Sequence, residues 1–313
     1  MNNEIEYVHH VGHVVRDIEK ARDLYRKLGF LCPAPAYPML PRNTGEPAKP
    51  FGAANMHASF VRNFVEIMAV ITEESHLADD AHPIPLQVPP AALPQVVESI
   101  ERTIAKIAAS LARFEGLRIL VFQTEDANET ARRFDQIGVG HSGVNRVQQS
   151  GQPAPMGVIE IDKEDVPEGR LAVAENPVSQ ALLAQLAPQH PNGAVDLVES
   201  ILCVPDAEIE AYVKRYQRYL GRAARRDGAA SIFDLQQSCV RLIPERWLGE
   251  LLPGEAAPML PTFVGYAVAV RDLGSTRRLL ESNGVIVLDT PTGDIFVPAK
   301  AALGAAVIFR QAR

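Results

Sequence analysis

The feature that most restricts what this chain can fold into is one short pattern, written four times. "YVHHVGHVV" runs into Asp17, then into a stretch whose apolar residues Ile18, Ala21, Leu24, Tyr25 and Leu28 recur at helical spacing, and it stops at Gly29. "LRILVFQTEDANETARRFDQIG" repeats the pattern with Asp126 and Gly138. "LVESILCVPDAEIEAYVKRYQRYLG" does so with Asp206 and Gly221, and "FVGYAVAVRDLGSTRRLLESNG" with Asp272 and Gly284. The β-branched run reads as a strand. The Asp is suited to cap a helix, because its carboxylate accepts from free first-turn amides. The Gly ends the helix where a left-handed residue is needed. The Asp-to-Gly distance is twelve residues in the first, second and fourth copies and fifteen in the third, an excess close to one helical turn. A loosely similar strand–helix pair arises in many chains; four with the same landmarks indicate an internal repeat.

Each copy is followed by further strand-like text, such as "GAANMHASFV" and "NFVEIMAV" after the first helix and "GVIVLDT", "GDIFVPA" and "AAVIFRQ" after the fourth. The unit is therefore strand, helix and about three strands. The expected fold class is α+β: four βαβββ modules in two pairs, forming curved mixed sheets with helices outside. With 313 residues the chain exceeds one ordinary core. The division is expected near residue 185, giving a first module pair over 1–185 and a second over 186–313. Three stretches fall outside the units. "PAPAYPMLPRNTGEPAKP" is expected to be a long loop, since its prolines oppose regular structure. "AHPIPLQVPPAALP" reads as a proline-rich linker into "VVESIERTIAKIAASLARFEG", an inserted helix near 91–115. "PERWLGELLPGEAAPMLP" joins the third and fourth modules; Trp247 within it, and Tyr266 just beyond it, are assigned to packing.

Composition excludes several functions. A net charge of −7 argues against nucleic acid or an anionic membrane as partner. No apolar run reaches the roughly 18 residues that span a bilayer. The opening lacks the basic-then-apolar pattern of a signal sequence. Cys32, Cys203 and Cys239 are odd in number and widely spaced, which fits reduced thiols in a cytoplasm better than disulfides or a thiolate zinc site. Lys214, Arg215, Arg218, Arg222, Arg225 and Arg226 read as a solvated helix face rather than an anion site. No phosphate loop, nucleophile elbow or metalloprotease His pair is present.

On these residues the chain resembles the vicinal oxygen chelate superfamily, the group of glyoxalases, bleomycin-resistance proteins and extradiol dioxygenases. The opening strand and helix look like that group's first module, and "HPNGAVDLVESILCVPD" looks like the second half of its glyoxalase-like members. The resemblance implies that paired modules curve into a cup holding a divalent metal, with ligands on the first and last strands of the modules. Seven residues before the capping Asp, the first-strand position is His10, Ile119, Glu199 and Gly265 in the four copies. The last-strand position is Glu66 in "VEIMAV", Arg241 in "VRLIPE", Ile308 in "VIFRQ", and Ala174 or Glu175 in "LAVAENP", where a slip of one residue reverses the face.

His10 and Glu66 therefore match the implied motif, and imidazole with carboxylate suits zinc, nickel, manganese or ferrous iron. Further ligands remain open among Glu199, Glu175, His57 and His141. His9 and His13 alternate with His10 and are expected to face the helix layer. His57, in "ANMHASF", is a candidate proton shuttle, with Glu175 or Glu199 a candidate base. The plain alternative is that His10 is a satisfied core histidine and Glu66 a solvated carboxylate. The resemblance implies a metal-dependent lyase, isomerase or dioxygenase acting on a small molecule with neighbouring oxygens; ring cleavage is the weakest of these, since Glu199, Gly265 and Ile308 stand where that branch holds iron. The rival is a metal-free protein that sequesters a small molecule in the same cup. The reading allows a homodimer.

Overall fold

The computed structural model describes residues 4–72, 75, 77–147, 155–161, 166–176 and 188–312. The first module comprises β1 (Ile5–Val14), α1 (Ile18–Lys27), β2 (Ala36–Leu40), β3 (Lys49–Pro50), β4 (Ala53–Ser59) and β5 (Phe64–Val70). A short strand β6 (His82–Pro85) and the inserted helix α2 (Leu93–Arg113) lead to the second. That module comprises β7 (Gly116–Thr124), α3 (Ala127–Ile137), β8 (Asn145–Val147), β9 (Met156–Ile161) and β10 (Arg170–Glu175). The third comprises β11 (Ala194–Val204), α4 (Ile209–Leu220), β12 (Arg225–Asp227), β13 (Ala230–Asp234) and β14 (Cys239–Pro244). One helical turn, α5 (Leu248–Leu251), precedes the fourth: β15 (Thr262–Val270), α6 (Leu273–Ser282), β16 (Leu288–Asp289), β17 (Ile295–Val297) and β18 (Ala306–Gln311).

Three of the four aspartates cap as expected. Asp17 accepts from the Glu19 and Lys20 amides at 3.1 Å, Asp126 from Asn128 and Glu129 at 2.8 and 3.0 Å, and Asp272 from Ser275 at 2.6 Å. Asp206 departs from the pattern. It opens a three-residue 3₁₀ turn ahead of α4, and its carboxylate accepts from the Arg246 amide at 3.1 Å. The longer Asp-to-Gly spacing thus reflects this added turn. Gly29, Gly138, Gly221 and Gly284 all have left-handed φ, from 64 to 79°.

The strands form one mixed sheet that does not close into a barrel, built of two similar halves. In the first half the order runs β4–β5–β1–β7–β10–β9–β8, with β1 parallel to β5, β7 parallel to β10, and β1 antiparallel to β7. In the second half β12–β13–β14–β11–β15–β18–β17–β16 repeats the scheme, and a bridge between Leu117 and Phe263 joins the halves. Two proline-rich stretches hold strands where loops were expected: β2 and β3 in the first, β6 in the second. They lie at the margin of the sheet, where β2 pairs with β6 and meets β4 only at Ala36, and marginal strands tolerate prolines. The boundary expected near residue 185 lies outside the described residues.

The strand faces turned towards the helices share a single core, in which Tyr25, Phe134, Tyr216 and Leu280 of α1, α3, α4 and α6 pack on both halves. The opposite, cup faces carry separate clusters. That of the second half is filled by its own inter-module connection, with Trp247, Leu248, Leu252 and Leu260 packed on Ile201, Ile232, Val264 and Ile308. The apolar stripe of α2 packs with Leu40 and Phe51. The basic run is not a free surface: Arg215 meets Glu168 at 2.5 Å, Arg225 meets Asp234 at 2.6 Å, and Arg218 donates to the Ile137 and Gly138 carbonyls. All three cysteines are free, and burial pushes the Cys32 and Cys203 thiols up to about 12, far from reactive.

Candidate functional site

Alternation along the strands of the first module decides what its cup face presents. On β5, Val65, Ile67 and Ala69 enter the shared core, which turns Phe64, Glu66 and Met68 to the cup. On β4, Ala54, Met56 and Ala58 do the same and turn out His57, which pairs across the ladder with Glu66. From β1, the His10 Nε2 stands 3.8 Å from Glu66 Oε2, and His57 Nε2 stands 3.9 Å from Glu66 Oε1. The His10 ring stacks on Phe64 at 4.5 Å and 12°, and His57 lies 4.5 Å from the same ring. The sequence-derived candidates His10, Glu66 and His57 are thus brought together. His10 and Glu66 are mostly buried, and His57 is 40% exposed.

His9 joins them, against expectation. The β1–β7 ladder slips between Val8 and His10, so strict alternation fails there. The His9 Nδ1 lies 2.8 Å from the His10 Nδ1, and its ring meets Phe64 edge-on at 5.2 Å. Burial holds His9 down to about 4, helped by His57 and opposed by Glu66; burial, then His9, His57 and Arg170, holds His10 well below the usual imidazole range. Both rings are thus held towards the neutral form, in which one ring nitrogen carries a hydrogen and the other a lone pair, and at the 2.8 Å contact one Nδ1 donates to the other. His13 does face the helix layer: its Nδ1 accepts from Tyr25 Oη at 2.9 Å and its Nε2 donates to the Leu303 carbonyl at 2.8 Å.

The second-module half of this cup is apolar, with Ile119, Val121, Ala172 and Ala174 clustered beside Met68, Met156 and Val158. Ile119 lies over Gly12, its partner in the ladder; a Cβ at Gly12 would stand 2.6 Å from the Ile119 Cβ. The register also corrects the last-strand position of this module. His10 pairs with Phe64, two before Glu66; Ile119 pairs with Arg170, two before Ala172. Ala172, neither Ala174 nor Glu175, is therefore the counterpart of Glu66. Glu175 sits at the strand end, where it accepts from the Ala127 amide at 3.0 Å and pairs with Arg146 at 3.0 Å, not with His10 or Glu66. His141 is likewise elsewhere, 3.1 Å from Asp135.

Glu199, also a candidate ligand and base, belongs to the second half. It is paired with Cys239 as His10 is with Phe64, and Arg241 follows two residues on, as Glu66 does. The pair has changed sign: Arg241 Nε meets Glu199 Oε1 at 2.5 Å, and Arg310 Nη2 meets Oε2 at 2.8 Å. Burial alone would raise the Glu199 carboxyl, but the Arg310 and Arg241 guanidiniums overcome it and hold the carboxyl below its ordinary value. Asp227 and Asp294 extend the network at 3.2 and 2.8 Å. Glu199 is thus not brought to His10 and Glu66, and guanidinium charge already balances it.

The sequence matches the glyoxalase-like domain family over residues 8–220. The chain belongs to that family. Its fold is that of vicinal oxygen chelate proteins. This glyoxalase-like chain is similar to a mutant 4-hydroxymandelate synthase from Streptomyces coelicolor, at 13% identity and a TM-score of 0.63 over 99% of this chain and 94% of that one. It is similar to a homoprotocatechuate 2,3-dioxygenase from Arthrobacter globiformis, at 10% identity and 0.56 over 99% and 80%. A hypothetical protein from Staphylococcus aureus aligns at 11% identity and 0.60 over 98% and 100%. At such identities the likeness establishes the fold and no more. No curated protein matches the sequence.

Two of the four implied ligand positions of the first cup carry donors, His10 and Glu66, and two carry the apolar side chains of Ile119 and Ala172. As the side chains stand, no three His, Cys, Asp or Glu among the described residues converge tightly enough to hold an ion. His10 and Glu66 nevertheless suit a divalent cation. Among the described residues Glu66 has no Lys or Arg ion pair, and two imidazole nitrogens stand on either side of its carboxylate just beyond hydrogen-bond reach.

Proposed function

We propose that this chain is a metal-dependent enzyme acting on a small oxygenated organic molecule in its first cup. The supporting observation is the contrast between the two halves. The carboxylate of the second is neutralised by Arg241 and Arg310, whereas among the described residues Glu66 of the first is flanked by His10 and His57 and has no Lys or Arg ion pair. A largely buried carboxylate is costly without a cation. His10 and Glu66 would hold the ion, and a zinc, nickel, manganese or ferrous ion there would supply Lewis-acid stabilisation of negative charge on substrate oxygen. His57, the most exposed of the group, would move the proton in this reading. The apolar wall of Ile119, Val121, Ala172 and Ala174 limits water around the reacting end. In this reading residues 1–185 carry the site and 186–313 support it. A lyase, isomerase or dioxygenase reaction is compatible with these groups, and the reading involves neither nucleic acid nor a membrane; no helix among the described residues is long and apolar enough to cross one.

Ile119 and Ala172 at the other two ligand positions favour a second reading, a metal-free protein that binds its small molecule without turnover. Elemental analysis decides between them. The wild-type chain, purified without chelator or incubated with each of the four ions, is expected to retain about one ion per chain, and His10→Ala and Glu66→Ala to lose it. A wild type that retains none supports the binding protein; retention by both variants moves the site elsewhere.

A further inference from the structure

Arg118, near the start of β7, is a buried cation with no counter-ion among the described residues. It is 4% exposed. Its guanidinium lies over the Phe114 ring, 4.2 Å from the centroid, and its Nη2 reaches the Met259 Sδ at 3.7 Å. The Nε is buried and has no partner. Five N–H donors are thus served by one weak acceptor and a ring face, which replace only part of a guanidinium's hydration. Arg22, buried to the same degree, is by contrast paired with Asp80 at 2.8 Å. A second guanidinium adds to the imbalance. Arg113 ends α2, is exposed, forms no ion pair with a described carboxylate, and stands close enough for its charge to oppose that of Arg118. The nearby Glu115 is taken by Arg16 at 3.3 Å. Burial first, and Arg113 second, hold the Arg118 guanidinium down to about 10.

We propose that Arg118 and Arg113 form an anion site at the junction of the two halves, which takes the carboxylate of a small organic molecule. Leu117, next to Arg118, makes the bridge to Phe263, and Met259 belongs to the connection between the third and fourth modules, so the ligand would touch both halves. An unpaired buried charge is costly, and an oxyanion on the guanidinium fork removes that cost. The fork matches two carboxylate oxygens, and the Phe114 ring and the Met259 side chain offer apolar surface to an organic body. A phosphate would bring a second negative charge into the same apolar surroundings, with only the exposed Arg113 to meet it. Phe114 and Met259 are themselves half-buried, so the guanidinium lies one side chain below the surface. Met259 stands in a stretch without helix or strand, and its unbranched thioether is readily displaced by an entering group. The site uses neither His10 nor Glu66 and is tested apart from the metal reading of the first cup.

Two measurements on the full chain test it, with sodium benzoate and inorganic phosphate as probes at constant ionic strength. The first follows the ¹H–¹⁵N signal of the Arg118 Nε–H group, assigned by its absence in Arg118→Met. Benzoate is expected to shift this signal saturably in wild type. Arg113→Gln, a change at an exposed position, is expected to weaken the binding about two- to fivefold. The second is the urea midpoint. A ligand that binds only the folded chain stabilises it, so the wild-type midpoint should rise relative to that of Arg118→Met as benzoate is added. Arg118→Met, which lacks the charge-assisted hydrogen bonds, should bind benzoate at least about tenfold more weakly. No saturable shift of the Arg118 signal would overturn the proposal, as would equal benzoate dependence of the two midpoints. Saturation by phosphate without a response to benzoate would overturn the carboxylate assignment. Should Arg118→Met fail to fold, Arg118→Gln replaces it, and the wild-type titration decides by itself whether the anion binds.

Discussion

At the scale of single residues, the clearest contrast is between Glu66 and Glu199. They occupy the cup faces of the two halves, and only one has a guanidinium counter-ion. Glu199 is 1% exposed, and the desolvation of a carboxylate so placed amounts to several kcal/mol unless it is compensated. Removing Arg241 should therefore matter more than removing Glu199. Arg241→Ala leaves the carboxylate with Arg310 alone and is expected to lower the unfolding free energy by roughly 2–4 kcal/mol in urea titrations. Glu199→Leu leaves Arg241 on Asp227 and Arg310 on Asp294, so its cost should be smaller. The metal content of both variants should equal that of wild type. If Glu199→Leu alone abolished metal retention, the first cup would not be the metal site. Glu175 illustrates the limit of reading such residues from spacing. Its carboxylate type suited a base, but only the β7–β10 register shows that Ala172 holds the ligand position and that Glu175 lies at the strand end with Arg146.

At the scale of elements, the pairing of β1 with β7 sets the shape of the site. Its ladder slips twice more besides the break at His9, between Ile5 and Val8 and between Gly12 and His13. The absent side chain at Gly12 makes room for Ile119 on the cup face. Gly12→Ala is expected to cost about 1–3 kcal/mol, because a methyl group there overlaps a well-packed neighbour. Ile119→Gly in the same chain, which removes the Cβ standing 2.6 Å from the added methyl as well as the rest of the side chain, should recover part of that cost, giving a coupling energy of at least about 0.5 kcal/mol in a double-mutant cycle. Strict additivity would mean that the two side chains do not compete for this space. The helices were more legible than the strands. Three capping Asp and four closing Gly fall where the sequence put them, since capping is decided within a few residues. The strands among the prolines were not legible, because their pairing partners lie far along the chain.

At the scale of the whole molecule, buried histidines link segments distant in sequence. His13 accepts from Tyr25, whose hydroxyl lies 3.0 Å from that of Tyr266 in the fourth module, and donates to Leu303. His190 accepts from the Leu31 amide and donates to the Ser59 carbonyl, both at 2.9 Å. Each ring is satisfied only as a neutral tautomer. Burial lowers His13 below the ordinary value of 6.5 against the pull of the Leu303 carbonyl, and burial likewise lowers His190 against that of Ser59. The unfolded chain therefore takes up protons at a higher pH than the folded one does. Stability from these groups is complete above about pH 6.5 and declines as the pH falls below it. The urea midpoint of the metal-free protein should drop between about pH 6.5 and pH 5, and the drop should be shallower in His13→Gln. A midpoint that rises on acidification would show that half-buried carboxyls such as Glu6 and Asp196, which desolvation raises, dominate instead.

The sequence by itself determined the repeat, the order of elements in each module, and two donors, His10 and Glu66, at matching positions of the first. These follow from periodicity and from chemistry that acts over a few residues. Only the tertiary structure decided which groups gather around that pair. His57 arrives through the antiparallel register of β4 on β5, and His9 through a break in alternation that no period-two reading anticipates. Glu199 is drawn away by two arginines, one of them 111 residues distant, and the second cup is filled by its own connection. Register and long-range ion pairing depend on residues far apart in the chain, so local pattern named the donors and the packed sheet chose their company.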